Sequence, residues 1–221
     1  MSAATDLFWR ELSLAWGRGG GPIISVGFYA GVAVLLPLST GPEPSRLAAV
    51  APGVAWVTLA LATLLGLDRL FERDFEDGAL DLLALSPLPL EISCAIKCFS
   101  QWLATSAPLA LVAPVAAVAL GARTELAGLI VAAALIGGLA FSFVGGIGAA
   151  LSLGARRGGL LTAVIVLPLF VPPVIFGGGA LDAFSGGLPW RAGIALLGAY
   201  GAAAVALGPI AMAAACRNAL S

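Results

Sequence analysis

The sequence predicts an all-α membrane protein with six transmembrane helices, a short amphipathic helix before the first of them, and a charged helical segment between the second and the third. Of its 221 residues, 60% are apolar and only 10% are charged, and the mean hydropathy is +1.04. A soluble globular domain is about 45–50% apolar and about 25% charged. So few charges could not cover a soluble surface, and the chain is far too apolar to be disordered. We therefore expect a single transmembrane domain over residues 1–221.

Six apolar stretches are long enough to cross the hydrocarbon core of a bilayer, which takes about 17–25 helical residues. We expect the spans at residues 22–38, 47–67, 94–120, 126–153, 160–176 and 190–215. The long polar interval at residues 68–91 is the charged segment. Residues 177–189 are rich in glycine and are expected to form a loop.

Basic residues are distributed unequally between the two sides of this predicted bundle. With six spans, both termini lie on the same side as the connections that follow spans two and four. That side holds eight basic residues and the other holds three: Arg10, Arg18, Arg69, Arg73, Lys97, Arg156, Arg157 and Arg217 against Arg46, Arg123 and Arg191. Because basic residues accumulate on the cytoplasmic side, we expect both termini and the charged segment to be cytoplasmic.

Residues 1–20 contain a predicted helix that lies in the membrane interface. At helical spacing, an apolar arc is opposed by a polar one. The apolar arc consists of Phe8, Trp9, Leu12, Ala15 and Trp16, and the polar arc of Asp6, Arg10, Ser13 and Gly17. Tryptophan favours the boundary between lipid and water, so this helix is expected to lie on the bilayer.

Two further patterns concern packing in the membrane. Four aromatic residues are expected at the lipid–water boundary: Trp56, Phe99, Trp102 and Trp190. The fourth span carries small residues that allow close helix contact and form a candidate dimer seam: Gly137, Gly138, Gly145, Gly146, Gly148, Ala149 and Ala150.

The charged segment has the periodicity of a helix. Apolar residues recur at i, i+4, i+8 and i+11 and are predicted to share one face: Phe71, Phe75, Ala79 and Leu82. Gly78 is expected to break the pattern, with Asp77 capping a second short helix that stops at Ser86-Pro87. A solvated loop would not need two aligned phenylalanines, so we interpret this face as a contact surface.

Residue types that the sequence lacks exclude several chemistries. It contains no histidine, which removes imidazole bases and imidazole ligands for metals or haem. Its one lysine, Lys97, does not end a glycine-rich phosphate loop, so the chain is not expected to hydrolyse ATP. We interpret Cys94, Cys98 and Cys216 as small packing residues rather than a metal site. The net charge of −1 offers no basic surface for nucleic acid.

The charged segment resembles a family of permeases. Glu76-Asp77-Gly78-Ala79-Leu80-Asp81-Leu82-Leu83 is similar to the Glu-x-Gly-Thr-Leu-Glu-x-Leu stretch of ABC-2 type permeases. The longer run Asp68-Arg-x-Phe-Glu-x-Asp-x-x-Asp-Gly-x-Leu-Asp, followed by Ser86-Pro87-Leu88-Pro89, is more similar to the CcmB family. Members of that family are the haem-exporter permeases of the ABC complex for cytochrome c maturation. Ala79 and Asp81 stand where the broader pattern prefers threonine and glutamate.

The resemblance implies a fold and a site. Such permeases have six spans, an N-terminal elbow helix and a cytoplasmic coupling helix that docks on a separate ATPase subunit. The elbow helix would be residues 1–20, with Phe8, Trp9, Leu12 and Trp16 in the interface, and the coupling helix would lie within residues 72–85. The docking residues that the resemblance implies are Glu72, Arg73, Phe75, Glu76, Asp77, Gly78, Leu80, Asp81 and Leu82.

The resemblance also implies partners and a location. The permease would work in the inner membrane as two copies, with an ABC ATPase subunit, a haem-handling membrane subunit and a small single-span subunit. The ATPase subunit would bind ATP, this chain would bind no cofactor or metal, and haem is the candidate substrate.

Two alternative functions stay open. One is a secondary transporter or channel, for which three prolines in the fifth span could mark a re-entrant or kinked helix: Pro168, Pro172 and Pro173. The other is a non-transporting membrane scaffold in the same complex. An intramembrane protease is disfavoured because the chain has no histidine and no paired aspartates within its spans.

Overall fold

The computed structural model describes residues 3–17, 21–41, 43–67, 69–155 and 158–220, apart from the side chains of residues 21 and 44. Within these ranges the chain is helical and contains no β-strand. Six of the helical stretches in this part of the chain are long and apolar enough to cross a membrane. The predicted all-α membrane fold is therefore confirmed.

Ten α-helices follow one another along the described part of the chain. Their bounds are α1 Ala3–Gly17, α2 Gly21–Thr40, α3 Pro44–Leu67, α4 Glu72–Glu76, α5 Ala79–Leu85, α6 Leu90–Gln101, α7 Ala107–Ala119, α8 Ala127–Leu151, α9 Gly158–Ser185 and α10 Arg191–Ala219. Helix α1 precedes the first span, and α4 and α5 lie between the second and the third. Helices α6 and α7 together form the third span, and a short 3-10 turn, Thr124–Leu126, leads into α8.

Helix α9 is longer than predicted. The sequence predicts a span at residues 160–176 and a loop at 177–189, but α9 continues to Ser185. The prediction of a loop over the whole of 177–189 is therefore wrong. Gly177 is buried against Trp56 of α3, where a side chain would not fit. Glycine is frequent in membrane helices because it permits such close contact, so the glycine run does not interrupt this helix.

Helix α9 is also continuous through its three prolines, Pro168, Pro172 and Pro173. The re-entrant alternative is therefore wrong, whereas a kinked helix stays a prediction. Each proline removes one hydrogen bond of the helix, and membrane helices tolerate that loss where neighbouring groups compensate for it. The sequence feature that favoured a secondary transporter therefore lies within a continuous helix of spanning length.

The third span changes its helical form halfway along. Between α6 and α7, Trp102–Ser106 forms a π-helical turn, which holds one more residue than a turn of α-helix. Trp102 donates from Nε1 to the carbonyl oxygen of Leu135 in α8 at 3.0 Å, and Gln101 donates from Nε2 to Thr105 Oγ1 at 3.0 Å. Helix α6 contacts α1, α8 and α10, whereas α7 contacts α2, α3 and α8.

Helix α8 lies at the centre of the bundle and packs through its small residues. A Cβ added to Gly145 would collide with Leu67 of α3, and one added to Gly148 would collide with Val166 of α9. The dimer seam predicted on this surface is wrong, because all of its residues are buried within the chain: Gly137, Gly138, Gly145, Gly146, Gly148, Ala149 and Ala150. Small residues permit close packing, but the pattern does not specify whether the partner helix belongs to the same chain.

Trp56 is buried inside the bundle rather than at the lipid–water boundary. Its indole ring lies between Gly137 of α8 and Gly177 of α9, and a side chain at either glycine would collide with it. The boundary prediction is therefore wrong for Trp56, since it lies near the middle of α3. The other three aromatic residues are partly or fully exposed on the surface of the chain: Phe99, Trp102 and Trp190.

The elements around the charged segment gather at one end of the bundle. Helix α1 packs along α6. Arg217, near the end of α10, donates to Glu91 Oε1 at the start of α6 at 2.7 Å. Phe75 of α4 lies against Gly154, in the turn after α8. This end therefore contains the charged segment, α1 and the last turn of α10, as the predicted alternation of six spans requires.

The side of the membrane that this end faces stays a prediction. Four residues used in the sequence analysis lie outside the described ranges: Arg18, Asp68, Arg156 and Arg157.

Candidate functional site

The charged segment forms two short helices, α4 and α5. Gly78 lies between them with a φ of 72°, in the left-handed region, so the predicted break is confirmed. Helix α5 ends before Ser86, whose hydroxyl donates to the carbonyl oxygen of Leu83 at 2.8 Å. The predicted cap by Asp77 is wrong, because Asp77 has helical backbone angles and closes α4, while Gly78 occupies the N-cap position of α5.

Helix α4 directs its buried side chains into the bundle. Phe71, which directly precedes α4, and Asp74 are buried, and Phe75 is half-buried. The Phe71 ring centroid lies 5.7 Å from Lys97 Nζ, within the range of a cation–π contact. Glu72 and Arg73 are half-buried on the same helix.

Asp74 belongs to a group of four charged side chains from three helices, which we call the Lys97 cluster: Arg10 and Glu11 of α1, Asp74 of α4 and Lys97 of α6. Lys97 is 2% exposed and donates from Nζ to Asp74 Oδ2 at 2.5 Å and to Glu11 Oε2 at 2.8 Å. Arg10 donates to Asp74 Oδ1 at 2.7 Å and to Glu11 Oε1 at 2.8 Å. Two positive and two negative charges therefore balance each other.

These ion pairs attach α4 to the rest of the bundle. Removing one partner of a buried ion pair costs about 3–5 kcal/mol, because the other charge is left unpaired. The hydrogen bond to Asp74 raises the pKa of Arg10 above its ordinary value, so Arg10 stays charged. The Lys97 cluster thus ties α4 to α1 and to α6 at the same point.

Sequence reasoning missed the Lys97 cluster. It placed Arg10 on the polar arc of α1, opposite the apolar residues, and counted Lys97 only among the basic residues that predict the orientation. The signal that could have indicated this cluster is the single lysine within an apolar helix. An unpaired ammonium group in the membrane costs free energy, so this lysine needs acidic partners. Its partners could not be chosen from sequence, because they lie 23 and 86 residues away along the chain.

Helix α5 exposes most of its side chains. Leu80 is its buried residue and is 1% exposed, whereas Leu82 is 71% exposed. The residues exposed on α5 and at the end of α4 are Glu76, Asp77, Asp81, Leu82, Ala84 and Leu85. We call Glu76, Asp81, Leu82 and Leu85 the docking surface, after the role that the family resemblance implies for this segment. It joins two exposed leucines to two carboxylates.

The predicted single face of Phe71, Phe75, Ala79 and Leu82 is therefore wrong. The spacing is right for one continuous helix, but the left-handed backbone at Gly78 redirects the chain between α4 and α5. As a result Leu80, rather than Leu82, points into the bundle.

Helix α1 buries Leu7, which lies on neither predicted arc, and Arg10 of the predicted polar arc joins the Lys97 cluster. Phe8 packs its ring with a centroid distance of 6.2 Å from Phe99 of α6, and Leu12 is half-buried. Trp9 and Trp16 are exposed. Exposed tryptophans beside membrane-spanning helices are typical of the lipid–water interface. The contact of α1 with lipid stays a prediction.

The three cysteines lie at the same end of the bundle. Cys94, Cys98 and Cys216 are buried and carry free thiols. Cys98 Sγ lies 3.4 Å from Met212 Sδ of α10. These side chains fill the contact between α6 and α10.

Comparison with known proteins decides the family. The sequence profile of the CcmB protein family matches residues 2–219. The chain belongs to the CcmB family. The match covers every helix of this CcmB-family protein, including α1 and the α4–α5 pair, and it confirms the resemblance found in the charged segment.

Several curated relatives are similar to this CcmB-family chain over nearly their full length. It is 46% identical over 208 residues to heme exporter protein B of Paracoccus denitrificans, covering 94% of this chain and 95% of the relative. It is 41% identical over 221 residues to that of Bradyrhizobium diazoefficiens, covering both chains completely. It is 40% identical over 215 residues to heme exporter protein B of Escherichia coli K12, covering 96% of this chain and 98% of the relative.

Proposed function

We propose that this chain is the membrane permease subunit of an ABC-type haem exporter that acts in cytochrome c maturation. Its relatives named heme exporter protein B, its six spanning helices and the α4–α5 pair at one end of the bundle support this proposal. In this proposal the chain lies in the inner membrane with both termini cytoplasmic. A partner ATPase subunit hydrolyses ATP, because this sequence has no phosphate-binding loop.

The observation that carries the proposal is the two-sided arrangement of α4 and α5. One side is held in the bundle by Phe71, Asp74 and Leu80, which are buried. The other side presents the docking surface. Leu82 and Leu85 are three residues apart on one helix and therefore neighbours. Exposed leucines beside carboxylates suit a protein partner with an apolar groove and basic or backbone donors. We assign that partner as the ATPase subunit.

This arrangement provides a route by which movement of the ATPase subunit could reach the spans. The segment is joined covalently to α3 and α6, and the Lys97 cluster joins α4 to α1 and again to α6. A displacement of the docked segment would therefore move α1, α3 and α6 together. Such rigid-body tilting of helices is an established form of conformational switching in proteins.

Haem enters this proposal as a substrate. The chain has no histidine that could ligate its iron, and we assign no residue of this chain to it. The remaining partners follow from the family resemblance: a haem-handling membrane subunit, a small single-span subunit and a second copy of this chain.

Leu82→Asp tests the docking assignment. Because Leu82 is 71% exposed, the variant should fold and insert normally. In the complex it would place an unpaired carboxylate in an apolar groove, at a cost of several kcal/mol, and each 1.4 kcal/mol lowers an affinity about tenfold. We expect the ATPase subunit to be lost from the complex purified in mild detergent, and mature cytochrome c in cells to fall about tenfold or more. Asp81→Ala should weaken the same contact less.

Leu188→Asp is the matched control, since Leu188 is an exposed leucine in the turn at the opposite end of the bundle. It should retain the ATPase subunit and normal maturation. If Leu82→Asp kept a stoichiometric ATPase subunit and full maturation, the docking assignment would be wrong. Phe75→Ala is a less specific test, because Phe75 packs against Gly154 of its own chain.

A further inference from the structure

A cleft of about 440 Å³ opens at the α1 end of the bundle, between α1, α2, α3 and α6. Its polar wall contains Arg69, Arg73, Gln101 and Thr105, and the Lys97 cluster closes one side of it. Gln101 donates to Thr105 at 3.0 Å. The cleft therefore combines a polar interior with a position beside the spanning helices.

The charges around this cleft leave an excess of positive charge. Five charged residues line the cleft, and three of them belong to the Lys97 cluster: Glu11, Asp74 and Lys97. Together with Arg10, the fourth member of the cluster, these three residues have no net charge. Arg69 and Arg73 are outside that cluster, and neither guanidinium group forms an ion pair or a hydrogen bond with the residues that the structure describes. Two guanidinium groups thus face the cleft without an acidic partner in that part of the chain.

The position of the cleft matches the depth of lipid headgroups. Helix α1 contributes Glu11, Leu14 and Ala15 to the lining, and the same helix carries the exposed Trp9 and Trp16. Tryptophan concentrates at the headgroup level of a bilayer. Ile24 of α2 and Leu65 of α3 complete an apolar wall, and both are exposed on the outer surface of spanning helices. The cleft is therefore continuous with a surface that suits acyl chains.

We propose that this cleft binds the phosphate headgroup of an anionic phospholipid. Arg69 and Arg73 donate to the phosphate oxygens, and the acyl chains lie along Ile24 and Leu65. Arginine suits this task because its planar fork of donors matches phosphate geometry and keeps its charge. This site shares no residue with the docking surface, although the family resemblance placed Arg73 among the docking residues, and it does not rest on the proposed function.

Native mass spectrometry of the full chain, purified in mild detergent with its accompanying subunits, tests the proposal. Phosphatidylglycerol, phosphatidylcholine and inorganic phosphate are added in separate titrations. The parent chain should retain one phosphatidylglycerol more tightly than phosphatidylcholine. A basic residue near an anionic lipid surface contributes about 1 kcal/mol, or about fivefold in affinity. Arg69→Gln should therefore weaken retention about fivefold, and Arg69→Gln with Arg73→Gln about 25-fold.

Arg46→Gln with Arg123→Gln is the matched control, because these arginines pair with Glu43 and Glu125 at the other end of the bundle. It should leave phosphatidylglycerol retention unchanged. Equal retention of the two lipids by the parent chain would overturn the proposal, as would unchanged retention in the Arg69 and Arg73 variants. Displacement of the lipid by equimolar inorganic phosphate would show a free-anion site instead, and would overturn the lipid assignment.

Discussion

Helices α4 and α5 are neighbours in sequence and both are short, with seven residues or fewer, yet they face opposite environments. Helix α4 directs Asp74 into the bundle, where Lys97 and Arg10 neutralise it. Helix α5 keeps only Leu80 buried and exposes Asp81 and Leu82. One helix is therefore attached to the spans, and the other exposes most of its side chains.

The difference shows that two consecutive short helices can serve two purposes when the backbone turns between them. The turn is Gly78, whose positive φ sets the direction of α5 relative to α4. If the comparison is correct, substitutions in α4 and its contacts should affect the stability of the chain. Substitutions on the exposed side of α5 should leave stability unchanged and affect only the partner.

Lys97→Met should have the largest effect on stability. It leaves Asp74 and Glu11 with only Arg10 to balance them, and breaking a buried ion pair in this way costs about 3–5 kcal/mol. Thermal unfolding of the purified chain in detergent measures the change. Lys97→Met combined with Asp74→Asn restores the charge balance and should recover most of the loss.

Arg123→Met is the control for Lys97→Met, because it breaks an exposed pair with Glu125. Exposed pairs contribute about 0–1 kcal/mol, so its unfolding temperature should stay near that of the parent. A Lys97→Met chain as stable as the parent would show that α4 is not held by the Lys97 cluster.

Leu80→Ala and Leu82→Ala form a matched pair of smaller effect within one helix. Truncating a buried leucine costs about 2–5 kcal/mol, whereas an exposed substitution changes stability by about 0.5 kcal/mol or less. Unfolding in detergent should therefore show a larger loss of stability for Leu80→Ala than for Leu82→Ala, although the two substitutions are of the same kind and only two residues apart. Equal losses would contradict the orientation of α5 described above.

Gly78→Ala should have the smallest measurable cost, about 1–2 kcal/mol, since an L-residue is disfavoured by that amount in the left-handed region. No atom lies within 4 Å of the added methyl group, so the loss would come from the backbone alone. Gly53→Ala in α3 is the control: it also adds a methyl group to open space, but in a helix, where alanine is preferred to glycine. The two variants should therefore change the unfolding temperature in opposite directions.

The spans and the short helices could be predicted from the sequence because they depend on local properties. Uninterrupted hydropathy marks six spans, and the glycine at position 78 marks the break in the charged segment. The family resemblance of residues 68–89 was also local, since it rests on one continuous motif. Each of these features can be read without knowing which helices become neighbours.

The features that sequence analysis did not find depend on such neighbours. Trp56 is buried because Gly137 and Gly177 leave space for its ring from two other helices. The pairing of Lys97 with Glu11 joins residues 86 positions apart. The small residues of α8 do permit close contact, but the contact is within the chain. A pattern can show that a residue needs a partner without identifying it.

The π-helical turn between α6 and α7 gives the third span two helical phases. One extra residue rotates the chain after it by about 100° around the helix axis, because an α-helix completes a turn every 3.6 residues. The half before Trp102 therefore meets α1 and α10, and the half after Ser106 meets α2 and α3. Two side chains on opposite sides of this turn therefore do not lie on the same helix face, even where their spacing would place them on one face of a regular α-helix. Because of one added residue, the same spanning helix packs against α1 at one end and against α2 at the other.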